Sequence, residues 1–116
     1  TRMSDEHEGL EVVEFSDVEE LRNWLTTAGT AHPGVWVRLR RASSSVPSIT
    51  FRDLLVEGIA HGWSESTRHG CDDDSYLQKF TPRRSRGTAS QRNLGIAREL
   101  DSQGRLTEEG RRALDL

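Results

Sequence analysis

Hydrophobic and polar residues alternate with two different periods along the first half of the chain, one typical of helices and one typical of strands. Residues 11–15 predict a short strand, and Ser16 followed by Glu19 gives the capping-box pattern of a helix start. The helix itself is predicted from apolar residues at helical spacing, Val18, Leu21, Leu25 and Ala28. Residues 34–41 then alternate with period two, which predicts a strand that carries Trp36 on the face opposite its valines.

The second half of the chain predicts a helix, a hairpin and two further helices. A helical stripe of apolar residues starts after the N-cap Thr50 and stops at Gly62. Residues 63–69 and 75–81 predict two strands around a polar turn, and Pro82 ends the second strand. The last two helices are predicted from residues that can cap them, Ser90 and Thr107.

This order of elements predicts an α+β fold, with a small antiparallel sheet of three to four strands and helices packed on one face. Residues 1–9 are polar and acidic, and we expect them to form a disordered tail. Residues 10–116 are predicted to form a single domain, which is the usual outcome for a chain of 116 residues.

Composition restricts the class of protein. Apolar residues make up 33% of the chain, so the core is expected to be thin. No apolar run approaches the roughly 18 residues that span a bilayer, and no secretory leader is visible, so we expect a cytoplasmic protein without membrane insertion. A single cysteine excludes an intramolecular disulfide framework.

Charge is unevenly distributed along the chain, although the net charge is only −3. Acidic residues concentrate in residues 1–33 and basic residues in residues 34–93. All of the 16 basic residues except Lys79 are Arg, whose planar guanidinium suits carboxylate or phosphate groups. The overall acidity argues against a duplex-DNA binder, which usually has a basic isoelectric point.

Several sequence strings between residues 15 and 110 carry a family resemblance. The most specific is residues 75–84, SYLQKFTPRR, because it is long and chemically mixed. Shorter strings precede it: Trp24-Leu25, Gly34-Val35-Trp36-Val37, Ser48-Ile49-Thr50-Phe51 and Gly62-Trp63. On these residues the chain resembles the YdeI/OmpD-associated family, also labelled bacteriocin-protection proteins, in a short form without the C-terminal helical segment of longer members.

The resemblance implies a small bacterial protein with a stress or bacteriocin-resistance role, and the family has no established reaction. One segment departs from the family pattern. Residues 60–65 read Ala-His-Gly-Trp-Ser-Glu, where the family commonly has Cys-aromatic-Gly-Trp-Ile-Asp. The resemblance therefore gives an expectation about biological context and none about molecular action.

The segment after the second hairpin strand predicts an anion site. Pro82 ends the strand, so Arg83 and Arg84 fall in a loop just before the helix that Ser90 caps. Loop arginines beside free N–H groups at a helix start can hold a nucleotide, a phosphate or a carboxylate. The alternative is that these arginines form ordinary ion pairs with acidic residues elsewhere in the chain.

Trp36 and Trp63 extend this hypothesis. If both indoles face the same side of the sheet, they form an aromatic floor beside Arg40 and Arg68 that can stack a planar ligand. The alternative is that both rings pack in the core, as large aromatic residues usually do.

The combined surface predicts a non-enzymatic binding protein for a small anionic ligand, monomeric and without a cofactor. A protein partner is the alternative to that ligand. The candidate ligand-binding residues are Trp36, Arg40, Trp63, Glu65, Arg68, Arg83 and Arg84.

Two other function classes stay open from the sequence. An enzyme acting on a small anionic substrate would use Glu65 or His61 as its base and the arginines as an anion clamp. A protein-interaction module, with a homodimer as one form, would expose Trp24 or Trp36 as an anchor.

The polar hairpin turn offers weaker chemistry. His69 and Cys71 beside residues 72–74 could supply metal ligands, but zinc needs three or four convergent ligands and the turn lacks a calcium-loop pattern. Cys71 with His69 or His61 could form a nucleophile pair, but no orienting acid or oxyanion hole is recognisable. We therefore assign no catalytic residue and no metal ligand.

Overall fold

A computed structural model of the chain describes residues 6–83 and 90–114. Within these ranges the helices and strands follow one another in this order: β1 (Glu6–His7), β2 (Leu10–Val13), α1 (Val18–Ala28), β3 (Val35–Arg40), α2 (Phe51–His61), β4 (Trp63–Gly70), β5 (Ser75–Pro82), α3 (Gln91–Ser102) and α4 (Glu108–Ala113). The predicted α+β class is confirmed.

The sheet is mixed, whereas we predicted an antiparallel one. Its strand order over the described residues is β1-β2-β3-β5-β4, and β2 pairs with β3 in parallel while the other pairs are antiparallel. The parallel pair follows from connectivity, because α1 crosses over between β2 and β3 and returns the chain to the same end of the sheet.

The start of the described chain differs from the predicted tail. Glu6–His7 form β1, which pairs with Leu10 and Glu11 of β2. Glu8 and Gly9 make the turn with positive φ values of 50° and 84°. Residues 6–9 therefore belong to a hairpin, and residues 1–5 lie outside the described ranges.

Local capping signals confirm most of the predicted helix boundaries. Thr50 and Asp53 form a reciprocal capping box, and Ser90 and Thr107 each accept a bond from the backbone three residues on. The start of α1 lies one residue later than predicted, because Asp17 accepts from the backbone N–H of Glu20 and acts as the N-cap. No helix among the described residues is long and apolar enough to cross a membrane.

One face of the sheet packs against the helices and forms the main core. Its strand side chains meet α1 and α2, and the buried members of this cluster include Val35, Val37, Leu39, Phe80, Trp63, Leu21, Leu25 and Leu54. A second apolar cluster joins α2 to α3 and α4. The helix α2 therefore contacts both clusters and is covered on most of its circumference.

The N-terminus of α4 packs directly on the C-terminus of α2. Gly110 lies so close to the Ala60 carbonyl that a Cβ atom there would clash with the backbone. The same carbonyl accepts hydrogen bonds from the Thr107 hydroxyl at 2.6 Å and from its backbone N–H at 3.0 Å. This junction fixes the loop before α4 against the last turn of α2.

The other face of the sheet is concave. His7 and His69 lie on the two edge strands, yet their ring centroids are 4.5 Å apart. Strands are spaced by about 4.8 Å, so a flat sheet would separate these edges by about 19 Å. The sheet therefore coils strongly, and Trp36 occupies the concavity beneath the two imidazoles.

Candidate functional site

The prediction that Trp36 and Trp63 share one surface is wrong. Trp36 lies opposite Lys79 on β5, and Trp63 lies opposite Pro82. Lys79 and Pro82 are an odd number of positions apart, and side chains along a strand alternate between faces, so the two indoles lie on opposite sides of the sheet. No aromatic floor is formed by this pair.

Each indole is instead a packed core residue. Trp36 is 1% exposed and contacts the His7 ring edge-on at 4.8 Å between centroids. Trp63 is also 1% exposed and packs against Phe80 at 5.0 Å and Trp24 at 5.3 Å. Trp36 therefore presents no open ring as an anchor for a partner, whereas Trp24 is partly buried and lines an open cleft with Phe15, Val46 and Pro47.

Arg40 is held by two carboxylates. It donates to Glu14 at 2.6 Å and to Asp74 at 2.9 Å, and hydrogen bonding to Glu14 is the main reason that the pKa of Arg40 is raised above its ordinary value. This guanidinium links the residue after β2 and the end of β3 to the hairpin turn, so an arginine predicted to bind ligand is engaged by carboxylates of the protein itself.

Arg68 stacks on aromatic rings at the edge of the helix-covered face. Its guanidinium carbon lies 4.4 Å from the Tyr76 ring centroid and 5.6 Å from the Phe51 centroid. A bulge between Glu65 and Arg68 sets the face of the sheet on which the Arg68 side chain lies. At this bulge, the side-chain amide of Gln78 donates to the backbone carbonyl of Thr67 at 3.1 Å. Arg68 is not among the residues that line the cavity shared by Trp63, Glu65 and Arg83.

Three predicted residues, Trp63, Glu65 and Arg83, do line one cavity, together with Asn93. Its free space is about 10 Å³, which is room for about one water molecule and too little for a nucleotide or a phosphate. Arg84 lies outside the described residues. The cavity that these three predicted residues share is therefore too small for a ligand.

The hairpin turn is organised by hydrogen bonds within the protein. The Asp72 carboxylate accepts from the backbone N–H of Asp74 at 2.8 Å and from the Ser75 hydroxyl at 2.9 Å, and it pairs with Arg38. These bonds, the first above all, lower the pKa of Asp72 below its ordinary value. Across residues 6–83 and 90–114 no three His, Cys, Asp or Glu side chains are grouped to hold a metal ion.

A different group of charged residues converges around a buried carboxylate. The Glu57 side chain is only 5% exposed, although it belongs to the otherwise apolar segment of α2. It accepts from Arg22 on α1 through Nε at 3.2 Å and Nη2 at 3.0 Å. It also accepts from Arg105 Nη2 at 2.8 Å, in the loop between α3 and α4.

The two guanidinium groups remain accessible from outside. The Arg22 and Arg105 side chains are 44% and 43% exposed, so they reach inward to Glu57 with one edge and face solvent with the rest. Hydrogen bonding and charge attraction to Glu57 raise the pKa of Arg22 above its ordinary value. Two cations against one carboxylate leave this cluster with a net positive charge.

His61 stands one helical turn beyond Glu57. Its Nδ1 lies 3.0 Å from the Glu57 carbonyl oxygen. A carbonyl can only accept, so Nδ1 carries a hydrogen in this contact, and the lone pair of the neutral ring is then on Nε2. The open cleft lined by Arg22, Thr26, Glu57, His61, Arg105 and Thr107, which we term the Glu57 groove, thus joins two cations, an imidazole and two hydroxyls.

Sequence reasoning missed most of this groove. Of its charged residues, only His61 is singled out from the sequence, and Glu57 and the two arginines are not. One signal was present: Glu57 is the single charged residue in the run Leu54 to Ala60. A charge within an apolar helical segment indicates a buried partner, and buried carboxylates are rarely unpaired.

Comparison with known proteins adds a family and no further relative. No curated protein and no solved structure matches the sequence. A family model described as a domain of unknown function, DUF8412, matches residues 13–113, a range that contains every residue of the Glu57 groove. The chain therefore belongs to the DUF8412 family of domains of unknown function.

Proposed function

We propose that this protein binds a small anionic ligand in the Glu57 groove. The observation that carries the proposal is the buried carboxylate of Glu57, which holds Arg22 and Arg105 side by side at the mouth of a cleft. The anion-binding function predicted from the sequence is thus retained, while its site moves from the loop arginines to this groove.

The geometry supports anion binding because both guanidinium groups have donors to spare. A guanidinium has five N–H donors. Arg22 uses its Nε and Nη2 on Glu57, and Arg105 uses Nη2 on Glu57 and Nη1 on Gln103. The remaining donors can form charge-assisted bonds with the paired oxygens of a carboxylate or phosphate. Glu57 fixes the two groups before the ligand arrives, which lowers the entropic cost of binding.

The lining also narrows the class of ligand. Among the described residues the groove contributes an imidazole and hydroxyl groups, and no indole, phenol or phenyl ring on which a base could stack. A carboxylate or a phosphate group is therefore favoured over a whole nucleotide within the predicted ligand classes.

Titration of the labelled protein with acetate, inorganic phosphate and AMP, followed by two-dimensional NMR, tests the proposal. Acetate or phosphate at millimolar concentrations should shift the amide signals around Thr26, His61 and Thr107. Arg105→Gln should weaken the response at least tenfold, since a hydrogen bond to a charged group contributes about 1.5–3 kcal/mol. Arg98→Gln, an exposed arginine of α3 outside the groove, is the matched control. Titrations that leave these signals unmoved would refute the site.

A second candidate function is favoured by His61, whose Nε2 is the basic nitrogen of a ring that lines the same groove. In that case the protein is an enzyme acting on a small anionic substrate, with His61 as the general base. Glu65, the other predicted base, lines the separate small cavity. Turnover of phosphate or carboxylate esters by the wild type, lost in His61→Asn with binding retained, would favour the enzyme.

The resemblance to the YdeI/OmpD-associated family, and the stress or bacteriocin-resistance role that it implies, stays a prediction. Survival of a bacterial host in the presence of a bacteriocin, with and without the protein, tests that role. Host survival that depends on Arg22 and Arg105 would connect the role to the Glu57 groove. Host survival that is the same with and without the protein would refute the resistance role.

A further inference from the structure

The Glu57 groove continues along α1 into a second cleft. Thr26, His61 and Thr107 line both clefts, so the two spaces join at these residues. The second cleft is lined beyond them by Leu25, Gly29, Thr30 and Glu109. Arg22 and Gly29 are seven positions apart along α1, which gives the combined groove a length of about 10 Å.

The two ends of this combined groove carry opposite charge. Arg22 and Arg105 give one end a net positive charge beside Glu57. The other end holds Glu109 and the C-terminus of α1, where carbonyl groups concentrate partial negative charge. No basic residue lies in the last turn of α1 to offset that charge.

Glu109 has no competing cation among the described residues. The two arginines of α4 are engaged elsewhere, since Arg112 lies 3.6 Å from Glu108 and Arg111 pairs with Asp101. Glu109 itself is exposed and forms no ion pair or side-chain hydrogen bond within residues 6–83 and 90–114. Its carboxylate is therefore available to a cation from outside the protein.

We propose that the combined groove binds a small zwitterion, with a carboxylate or phosphate between Arg22 and Arg105 and an ammonium group at the Glu109 end. The inference rests on the proposed function, because the arginine end is the same anion site. Between the charged ends, Thr26, His61 and Thr107 line the space in which the short body of the ligand would lie. A purely anionic ligand would leave the acidic end unmatched, whereas a zwitterion complements both ends.

The two compounds 6-aminohexanoate (aminohexanoate below) and hexanoate test the proposal as a matched pair, because they differ only in the terminal ammonium group. Calorimetric or NMR titration of the wild type should show aminohexanoate binding about threefold to tenfold more tightly, as expected for one ion pair in a partly enclosed cleft. Glu109→Gln should abolish that preference without weakening hexanoate.

Asp73→Asn is the control variant, because Asp73 is an exposed acid of the hairpin turn and does not line the groove. It should retain the preference for aminohexanoate. Equal affinities of the wild type for both compounds would overturn the zwitterion inference and leave the anion site intact. Failure of both compounds to bind would overturn the proposed function as well.

Discussion

The carboxylate of Glu57 accepts a hydrogen bond from Arg105 Nη2 at 2.8 Å, across 48 positions of sequence. This bond ties the middle of α2 to the loop before α4, while Arg22 ties the same carboxylate to α1. Two helices and the loop before α4 thus meet at one buried charge. The charge organises the groove and also contributes to the stability of the helical layer.

Replacing Glu57 with Gln should therefore destabilise the fold. The amide keeps the shape of the side chain but gives up charge-assisted bonds to two arginines, each of which can turn partly to solvent. We expect a loss of about 2 kcal/mol in the free energy of unfolding, measured by urea denaturation. Glu99→Gln, which removes an exposed carboxylate of α3, should change stability by less than about 0.5 kcal/mol. Equal effects of the two variants would contradict the central position of Glu57.

Gly110 and Gly95 are two helical glycines at which the same substitution, Gly→Ala, should have opposite effects on stability. A Cβ atom at position 110 would clash with the backbone of α2, whereas a Cβ atom at position 95 on α3 would meet nothing within 4 Å. Gly110→Ala should destabilise the protein by about 1–3 kcal/mol through overpacking. Gly95→Ala should stabilise it by about 0.5–1 kcal/mol, because alanine is the better helix former.

The junction at Gly110 also positions the groove, since Thr107 bonds to Ala60 just beside it. Gly110→Ala is therefore expected to weaken phosphate binding as well as stability, while Gly95→Ala leaves binding unchanged. Thermal unfolding and NMR titration of both variants separate these effects. A Gly110→Ala protein as stable as the wild type would show that α4 does not seat on α2 in this way.

Local sequence signals predicted the elements well because each signal acts within a few residues. The capping box of Thr50 and Asp53 and the left-handed Gly62 define α2 without reference to the rest of the chain. The order of the strands, and the face of the sheet on which each side chain lies, depend on pairing between residues distant in sequence. Neither could be predicted from local patterns. The side of the sheet on which Trp63 lies is set by its pairing with Pro82, which no local pattern reveals.

The candidate site was the least predictable part for the same reason. Glu57 contacts residues 35 positions before it and 48 positions after it, so its partners depend on how three helices pack. The predicted loop arginines carried a recognisable local pattern, but such a pattern gives no information on which side chains are already paired. The same holds for the predicted ligand residue Arg40 of β3, because Glu14 and Asp74 already pair with its guanidinium group.

The two buried tryptophans yield a prediction about stability. If Trp36 and Trp63 are core residues, Trp→Ala at either position should cost about 3–5 kcal/mol. Trp→Phe is the milder variant in case the alanine proteins fail to fold. Trp36→Phe and Trp63→Phe should both cost less than the alanine variants, because the buried Nε1 atom of each indole has no hydrogen-bond partner to lose among the described residues.

Urea denaturation of both phenylalanine variants, with Val46→Ala as the exposed apolar control, measures the effect. A recognition role for the indoles predicts the reverse pattern, with stability unchanged and ligand binding lost. Such an outcome would contradict the packing of the two indoles as core residues.

Asp72 gives the fold an acid-sensitive element. Its pKa is lowered by bonds from Asp74 and Ser75 and by Arg38, so its ionised form stabilises the folded state. The contribution is fully present above the unfolded pKa of about 3.9 and is lost as pH falls through the lower folded value. The destabilisation caused by Asp72→Asn should therefore be largest near neutral pH and shrink below about pH 4. Urea midpoints of wild type, Asp72→Asn and the neighbouring Asp73→Asn across this range measure it. A wild-type and Asp72→Asn difference that persists unchanged into acid would show that the hairpin turn does not depend on the ionised carboxylate.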